Sequence, residues 1–176
     1  MLITRPRALG AMRAFSTKPL VLGYGESMLR YAPMRPEGAP DAHGRRVPSA
    51  VAPFMRSVGG DELNVLVALA RLGYPTRYAS VLPEGPLGAV VADAARDAGV
   101  DVDAAVRYVP DGGDALGTFT VLPEERRVHY QRAGSAFARA PAPGSPGAPF
   151  DWGALLGGVA WVHATGITPA CGAGPR

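Results

Sequence analysis

The stretch SVGGDELNVLVALARLG, Ser57 to Gly73, gathers two glycines, two acids and an asparagine at the mouth of an otherwise apolar helix. Its apolar positions Leu63, Leu66, Val67 and Ala70 fall at i, i+3, i+4 and i+7, the spacing of one buried helical face. Gly73 stands where a left-handed C-terminal cap belongs. At the other end, glycines ahead of a helix admit a ligand close to the backbone, and the first turn offers free N–H donors. Phosphate often binds in such a place, but Asp61 and Glu62 would repel an anion. Neither a Walker-type Lys-Ser/Thr nor a Gly-x-Gly-x-x-Gly accompanies them. A polyhydroxylated ligand fits better, because carboxylates accept from sugar hydroxyls and Asn64 both donates and accepts. The residues alone also allow a plainer reading, in which Asp61 caps the helix and its neighbours are solvated.

Working outward, Leu20–Gly25 (LVLGYG) reads as a short buried strand that Met28–Ala32 (MLRYA) continues in extended form. Pro33–Gly44 is a Pro- and Gly-rich loop. After the helix, Thr76–Leu82 is strand-like. Gly85-Pro86 opens a second helix, with Pro suited to the first helical position. Its stripe runs through Leu87, Val90, Val91, Ala94 and Ala98 to a stop at Gly99. Gly117–Val121 and Arg127–Arg132 alternate as the arms of an antiparallel hairpin around Pro123-Glu124. Pro141–Pro149 is loop, a short helix is expected near Asp151–Leu156, and Val159–Thr165 is a further strand. Alternating strands and helices predict an α/β domain with a largely parallel sheet, and the hairpin adds a small β flap.

Composition narrows the function. The 176 residues suffice for one domain with a sizeable core. The net charge is +3, but Arg5, Arg7, Arg13 and Lys18 crowd an acid-free start, which leaves 14 basic and 15 acidic residues from position 26 onward. With no basic stripe on the folded part, nucleic acid is set aside as a partner. Trp152–Gly174 lacks charged residues, yet its glycines, His163 and Pro169 argue against a membrane span. The single Cys171 excludes an internal disulfide, and His43, His129 and His163 have no ligand-like spacing, so no metal site is expected. Residues 1–19 read either as an organellar transit peptide or as a basic tail, which puts the protein in an organelle or in the cytoplasm.

A second constellation lies in YQRAGSA, Tyr130 to Ala136. Strand alternation puts Val128, Tyr130 and Arg132 on one face. A phenol beside a guanidinium suits a ligand with hydroxyls and a carboxylate, since Arg grips carboxylate with two prongs. A solvent-facing Arg beside a packed Tyr is the alternative.

Both constellations, in this order, resemble the PfkB-type carbohydrate kinases of ribokinase-like fold, and most of all the 2-keto-3-deoxygluconate kinase branch. The matching pieces are GYGESMLRYAP, VGGDELNVLVALARLGYPT, LPEGPLG, RVHYQRAGSA and WVHATGITPA, spread over residues 20–170. The resemblance implies that Gly60, Asp61, Glu62, Leu63 and Asn64 form a sugar-contacting segment. It also implies that Tyr130 and Arg132 reach the substrate from the flap. Phe119 stands where the branch commonly has tyrosine, which removes one hydroxyl and bears on the choice of sugar.

The resemblance further implies a sugar kinase using ATP and Mg²⁺, with a small-molecule sugar or sugar acid as partner and self-association through the β flap. Residues 20–170 correspond to the N-terminal, sugar-binding portion. The family's ATP pocket and its Gly-Ala-Gly-Asp segment, whose Asp is the expected base, have no counterpart here. Cys171–Arg176 is read as divergent or truncated sequence, so no catalytic or cofactor-binding residue is expected within the chain. The strand Val159–Thr165 would then carry an open apolar edge. Fructokinase, another sugar kinase of this type, and a non-catalytic sugar-binding or regulatory half-domain are the competing expectations.

Overall fold

The computed structural model describes residues 18–34, 40, 43–45, 53–110, 115–122, 126–142 and 144–172. The expected N-terminal tail up to residue 17, most of the loop after Pro33, the turn at Pro123-Glu124 and residues 173–176 lie outside that set. In chain order the elements are β1 (Leu20–Tyr24), β2 (Met28–Pro33), β3 (Phe54–Gly59), α1 (Asp61–Arg71), β4 (Thr76–Pro83) and α2 (Pro86–Asp97). They continue as β5 (Val106–Val109), β6 (Thr118–Leu122), β7 (Arg127–Gln131), α3 (Ala136–Arg139), α4 (Trp152–Leu155) and β8 (Val159–His163), then a 3-10 turn at Thr168–Ala170.

The central sheet is parallel throughout, in the order β5-β4-β1-β8. A parallel sheet needs cover on both faces, and β4 supplies side chains to both. Tyr78 and Leu82 pack with Leu63 and Leu66 of α1 and with Val91 and Ala95 of α2. Ala79 and Val81 point the other way, toward Phe137 of α3 and Leu155 of α4. Leu66 is fully buried, which stabilises the fold by about 1.5–3 kcal/mol. Gly23 lets α1 come this close to β1, since a Cβ there would lie 2.7 Å from Leu66 Cδ1. On the opposite face the Tyr24 ring meets Phe137 at 5.4 Å and Trp152 at 5.0 Å between centroids.

Both expected helix stops are present, with Gly73 at φ +79° and Gly99 at φ +87°. β8 pairs with β1 alone among the described strands and leaves Trp161 67% exposed, as an apolar strand with an open edge should. No described helix is long and apolar enough to cross a membrane.

The flap is larger than the expected hairpin. Its four strands run β3-β2-β6-β7, with β2 parallel to β6 and the other pairs antiparallel. β2 does not extend β1, contrary to the reading of MLRYA. The chain bends at Gly25–Ser27 because the Gly25 carbonyl accepts from the Tyr78 hydroxyl at 2.8 Å and from Ser80 Oγ at 2.7 Å. Past that anchor, β2 enters the flap sheet.

Candidate functional site

A cavity of about 350 Å³ lies between the flap and the start of α1. Register explains its flap side. Arg30 of β2 opposes Ser57 of β3 and Phe119 of β6, and Phe119 opposes Tyr130 of β7. Cross-strand partners share a face, so Ser57, Arg30, Phe119 and Tyr130 form one row, and all four line the cavity. The Phe119 and Tyr130 rings lie 5.7 Å apart between centroids. Gly59 makes room for them, since a Cβ there would stand 2.8 Å from the Phe119 ring.

The other wall is the helix start. Gly60 is the N-cap residue, and no side chain caps α1. Asp61 is the first helical residue and not the cap, so the capping part of the plainer reading fails on geometry, while Asp61 and Asn64 are exposed. A Cβ at Gly60 would approach the Glu26 carbonyl oxygen to 2.8 Å, which brings the helix mouth against the β1–β2 bend. Gly60, Asp61, Glu62, Asn64, Phe119, Tyr130 and Arg132 all line the cavity. Leu63 does not: its side chain is 4% exposed and packs in the core, because the helix turns that position toward the sheet.

Glu62 is buried, and its role differs from a simple sugar contact. Its Oε1 accepts from the Thr165 backbone N–H at 3.0 Å, Thr165 Oγ1 at 2.7 Å and Thr168 Oγ1 at 2.6 Å. Burial by itself would raise this carboxyl's pKa, but the hydrogen bonds from Thr168 and Thr165 outweigh it and hold the group below its ordinary 4.5. A depressed folded value means that the tie stabilises fully above the ordinary value and is lost as pH falls through the folded one. Thermal unfolding between about pH 6 and about pH 3 checks this. Wild type is expected to lose more Tm on acidification than Glu62→Gln does, and equal losses would contradict the assignment.

The sequence reading missed Glu26, whose residue is 4% exposed. Arg132 donates to its Oε2 from Nε at 2.8 Å and from Nη2 at 2.5 Å, and Ser135 Oγ donates to its Oε1 at 2.5 Å. Arg132 Nη2 also reaches Cys171 Sγ at 3.0 Å. Burial pushes the Cys171 thiol up to about 11, with Arg132 opposing, so the sulfur is protonated at neutral pH. Arg30, Met28 and Ser57 were missed as well. Period-2 alternation along MLRYA carried the signal for Met28 and Arg30, but it identifies a face only once the flap sheet is known.

Comparison with known proteins places the chain in a family. The model of the pfkB family carbohydrate kinases matches residues 19–139. The chain belongs to that family. A PfkB protein from Polaromonas sp. JS666 is 28% identical with a TM-score of 0.69, over 89% of this chain and 48% of that one. A 2-dehydro-3-deoxygluconokinase from Thermotoga maritima is 30% identical with a TM-score of 0.68, over 88% of this chain and 43% of that one. A fructokinase with bound ATP from Xylella fastidiosa, 24% identical with a TM-score of 0.55 over 70% and 36%, shares the fold. The chain thus spans about half the length of the solved pfkB structures it matches.

Within this pfkB member, the cavity's charges are Glu26, Asp61 and Glu62 against Arg30 and Arg132. That donor set does not fit a nucleoside triphosphate, whose phosphates would face an acidic helix mouth. Among the described residues no group of His, Cys, Asp and Glu is placed to hold a metal ion. The cavity instead presents the carboxylates of Glu26, Asp61 and Glu62, the Asn64 amide, the Tyr130 phenol and the guanidinium groups of Arg30 and Arg132.

Proposed function

We propose that the cavity receives the acceptor substrate of a sugar kinase, and that this acceptor is a sugar acid such as 2-keto-3-deoxygluconate. The observation that carries the reading is the flap row of Arg30, Phe119 and Tyr130 opposite Asp61 and Asn64. Asp61 and Asn64 offer acceptors for ring or chain hydroxyls, while the flap offers a phenol and positive charge. The Phe119 ring gives an apolar surface against the sugar's carbon face, where a tyrosine would have added a hydrogen bond. These residues bind, orient and shield the acceptor. Phosphoryl transfer from ATP with Mg²⁺ needs groups that they do not supply.

A neutral ketose such as fructose is the second reading. It is favoured by the Glu26 carboxylate, which already neutralises Arg132 at 2.5 Å. Calorimetric titration of this chain with 2-keto-3-deoxygluconate and with fructose separates the two. Heat with the sugar acid and none with fructose is expected, and the reverse would make it a fructose site. Absence of heat with either ligand at millimolar concentration would overturn the sugar-binding reading altogether. The same sample is expected to transfer no phosphoryl group from ATP. Sugar-acid-dependent turnover that Arg132→Ala abolishes would show that the chain is competent by itself.

A further inference from the structure

Away from the sugar cavity, the central sheet ends in an apolar edge. β8 is hydrogen-bonded to β1 alone among the described strands, so its alternate backbone N–H and C=O groups face outward without a ladder partner. Charged side chains and proline commonly protect such an edge, and Val159–His163 has neither. From Trp152 to Gly172 the chain carries no Asp, Glu, Lys or Arg.

Beside this edge lies a second cavity, of about 310 Å³. Val21 of β1, Val65 and Leu69 of α1, Tyr74, Trp161 and His163 line it, and none of its lining residues is an acid, a lysine or an arginine. Trp161 leaves most of its surface in solvent. His163 Nε2 is buried without a hydrogen-bond partner among the described residues. One surface thus holds a projecting indole and an apolar recess side by side. An interface about a two-fold axis needs that combination, because the same patch must supply both knob and hole. Such an axis also sets like charges against each other, and this patch has none to repel.

Side-chain alternation gives the register. Trp161 and His163 share one face of β8, and Val162 takes the other. With Val162 on the axis of an antiparallel pair, Trp161 of one copy faces His163 of the other and enters its recess. With Trp161 on the axis, the two indoles would meet and both recesses would stay empty.

We propose that a second copy of this chain docks on β8, antiparallel about Val162, and joins the two four-stranded sheets edge to edge. Backbone hydrogen bonds cover the open edge, and Trp161 of each copy fills the recess of the other. The flap stays free, unlike in the self-association through the β flap that the family resemblance implies. β8 leads directly to Thr165 and Thr168, so the pairing also steadies the segment that holds Glu62.

Sedimentation equilibrium of the 176-residue chain, from micromolar to hundreds of micromolar, reads the mass. Wild type is expected to reach twice the mass of one chain, and a monomer throughout would overturn the inference. Val162 is 48% exposed, so the monomer accommodates a lysine there, whereas in the dimer two ammonium groups would meet on the axis. Val162→Lys should weaken the dimer at least about 100-fold, and Trp161→Ala about 10- to 100-fold. Met55→Lys, on the exposed part of β3, should leave it unchanged. A dimer that Met55→Lys breaks and Val162→Lys spares would move the interface to the flap. Val162→Cys tests the register without placing a charge on the strand. It should cross-link to dimer under mild oxidation, while Ala160→Cys and wild type, whose Cys171 is protonated at neutral pH, should not. Cross-linking of Ala160→Cys in preference to Val162→Cys would contradict the assigned pairing. A chain that stays monomeric alone, yet binds the separately produced C-terminal half of the Thermotoga maritima kinase until Val162→Lys abolishes it, would give the edge to the rest of a pfkB domain instead. A melting curve for each variant verifies that masses are read on folded protein.

Discussion

Glu26→Ala is expected to lower the unfolding free energy by about 3–5 kcal/mol in a denaturant titration, the usual loss when one partner of a buried ion pair is removed. The substitution strands more than Arg132. Ser135 Oγ loses its acceptor, and the same Ser135 caps α3 by accepting from the Ala138 N–H at 3.1 Å. Arg132, with its side chain only 22% exposed, keeps its charge beside a neutral thiol. Glu26→Gln retains an acceptor without the charge and should fall between wild type and Glu26→Ala. Ser135→Ala breaks one neutral-to-charged hydrogen bond and one cap and should cost about 1–3 kcal/mol. A loss below about 1 kcal/mol for Glu26→Ala would mean that the pair is solvated in solution.

Gly25→Ala is expected to cost about 1–3 kcal/mol or more, by overpacking a bend that cannot yield. The added Cβ would stand 2.2 Å from Glu62 Oε2. On that side the carboxylate is fixed by Thr165 and Thr168. On the other, the Gly25 carbonyl is fixed by Tyr78 and Ser80. Relief requires one of these sets of hydrogen bonds to break. A double-mutant cycle isolates the cause. In a Glu62→Ala background the Gly25→Ala cost should fall by more than half, whereas an equal cost in both backgrounds would place the clash elsewhere.

These two substitutions fall where the sequence was least legible. Local pattern sufficed for α1 and α2, because their apolar residues repeat at helical spacing and a glycine ends each one. It sufficed for β4 and β8 as apolar runs, and for the β6–β7 hairpin through alternation. It failed at β3, whose Phe54 and Met55 are 41% and 50% exposed, so that no buried face marks Phe54–Gly59 as a strand. β5 and α3 are four residues each and too short to show a period. The bend between β1 and β2 is imposed by Tyr78 and Ser80, more than fifty residues away. The site repeats this division. Gly60, Asp61 and Asn64 at the helix mouth and Tyr130 and Arg132 on the hairpin stand out from their neighbours in sequence and line the cavity, whereas Phe119 is named through the family resemblance alone. Glu26 was not legible, since its partner Arg132 is 106 positions distant. Glu62 was named as a sugar contact because nothing near it in sequence announces Thr165 and Thr168.

The arrangement around Cys171 makes the flap measurable in time. This is the chain's one cysteine, and burial, opposed by Arg132, holds its thiol near 11 while the flap is docked. Alkylating reagents attack the thiolate. A molecule whose flap swings away from the helix mouth takes Arg132 with it, and the sulfur loses the guanidinium that lies 3.0 Å from it and lowers its pKa. The labelling rate at this single sulfur is therefore a clock for flap opening, built into the natural sequence and read without any introduced probe site.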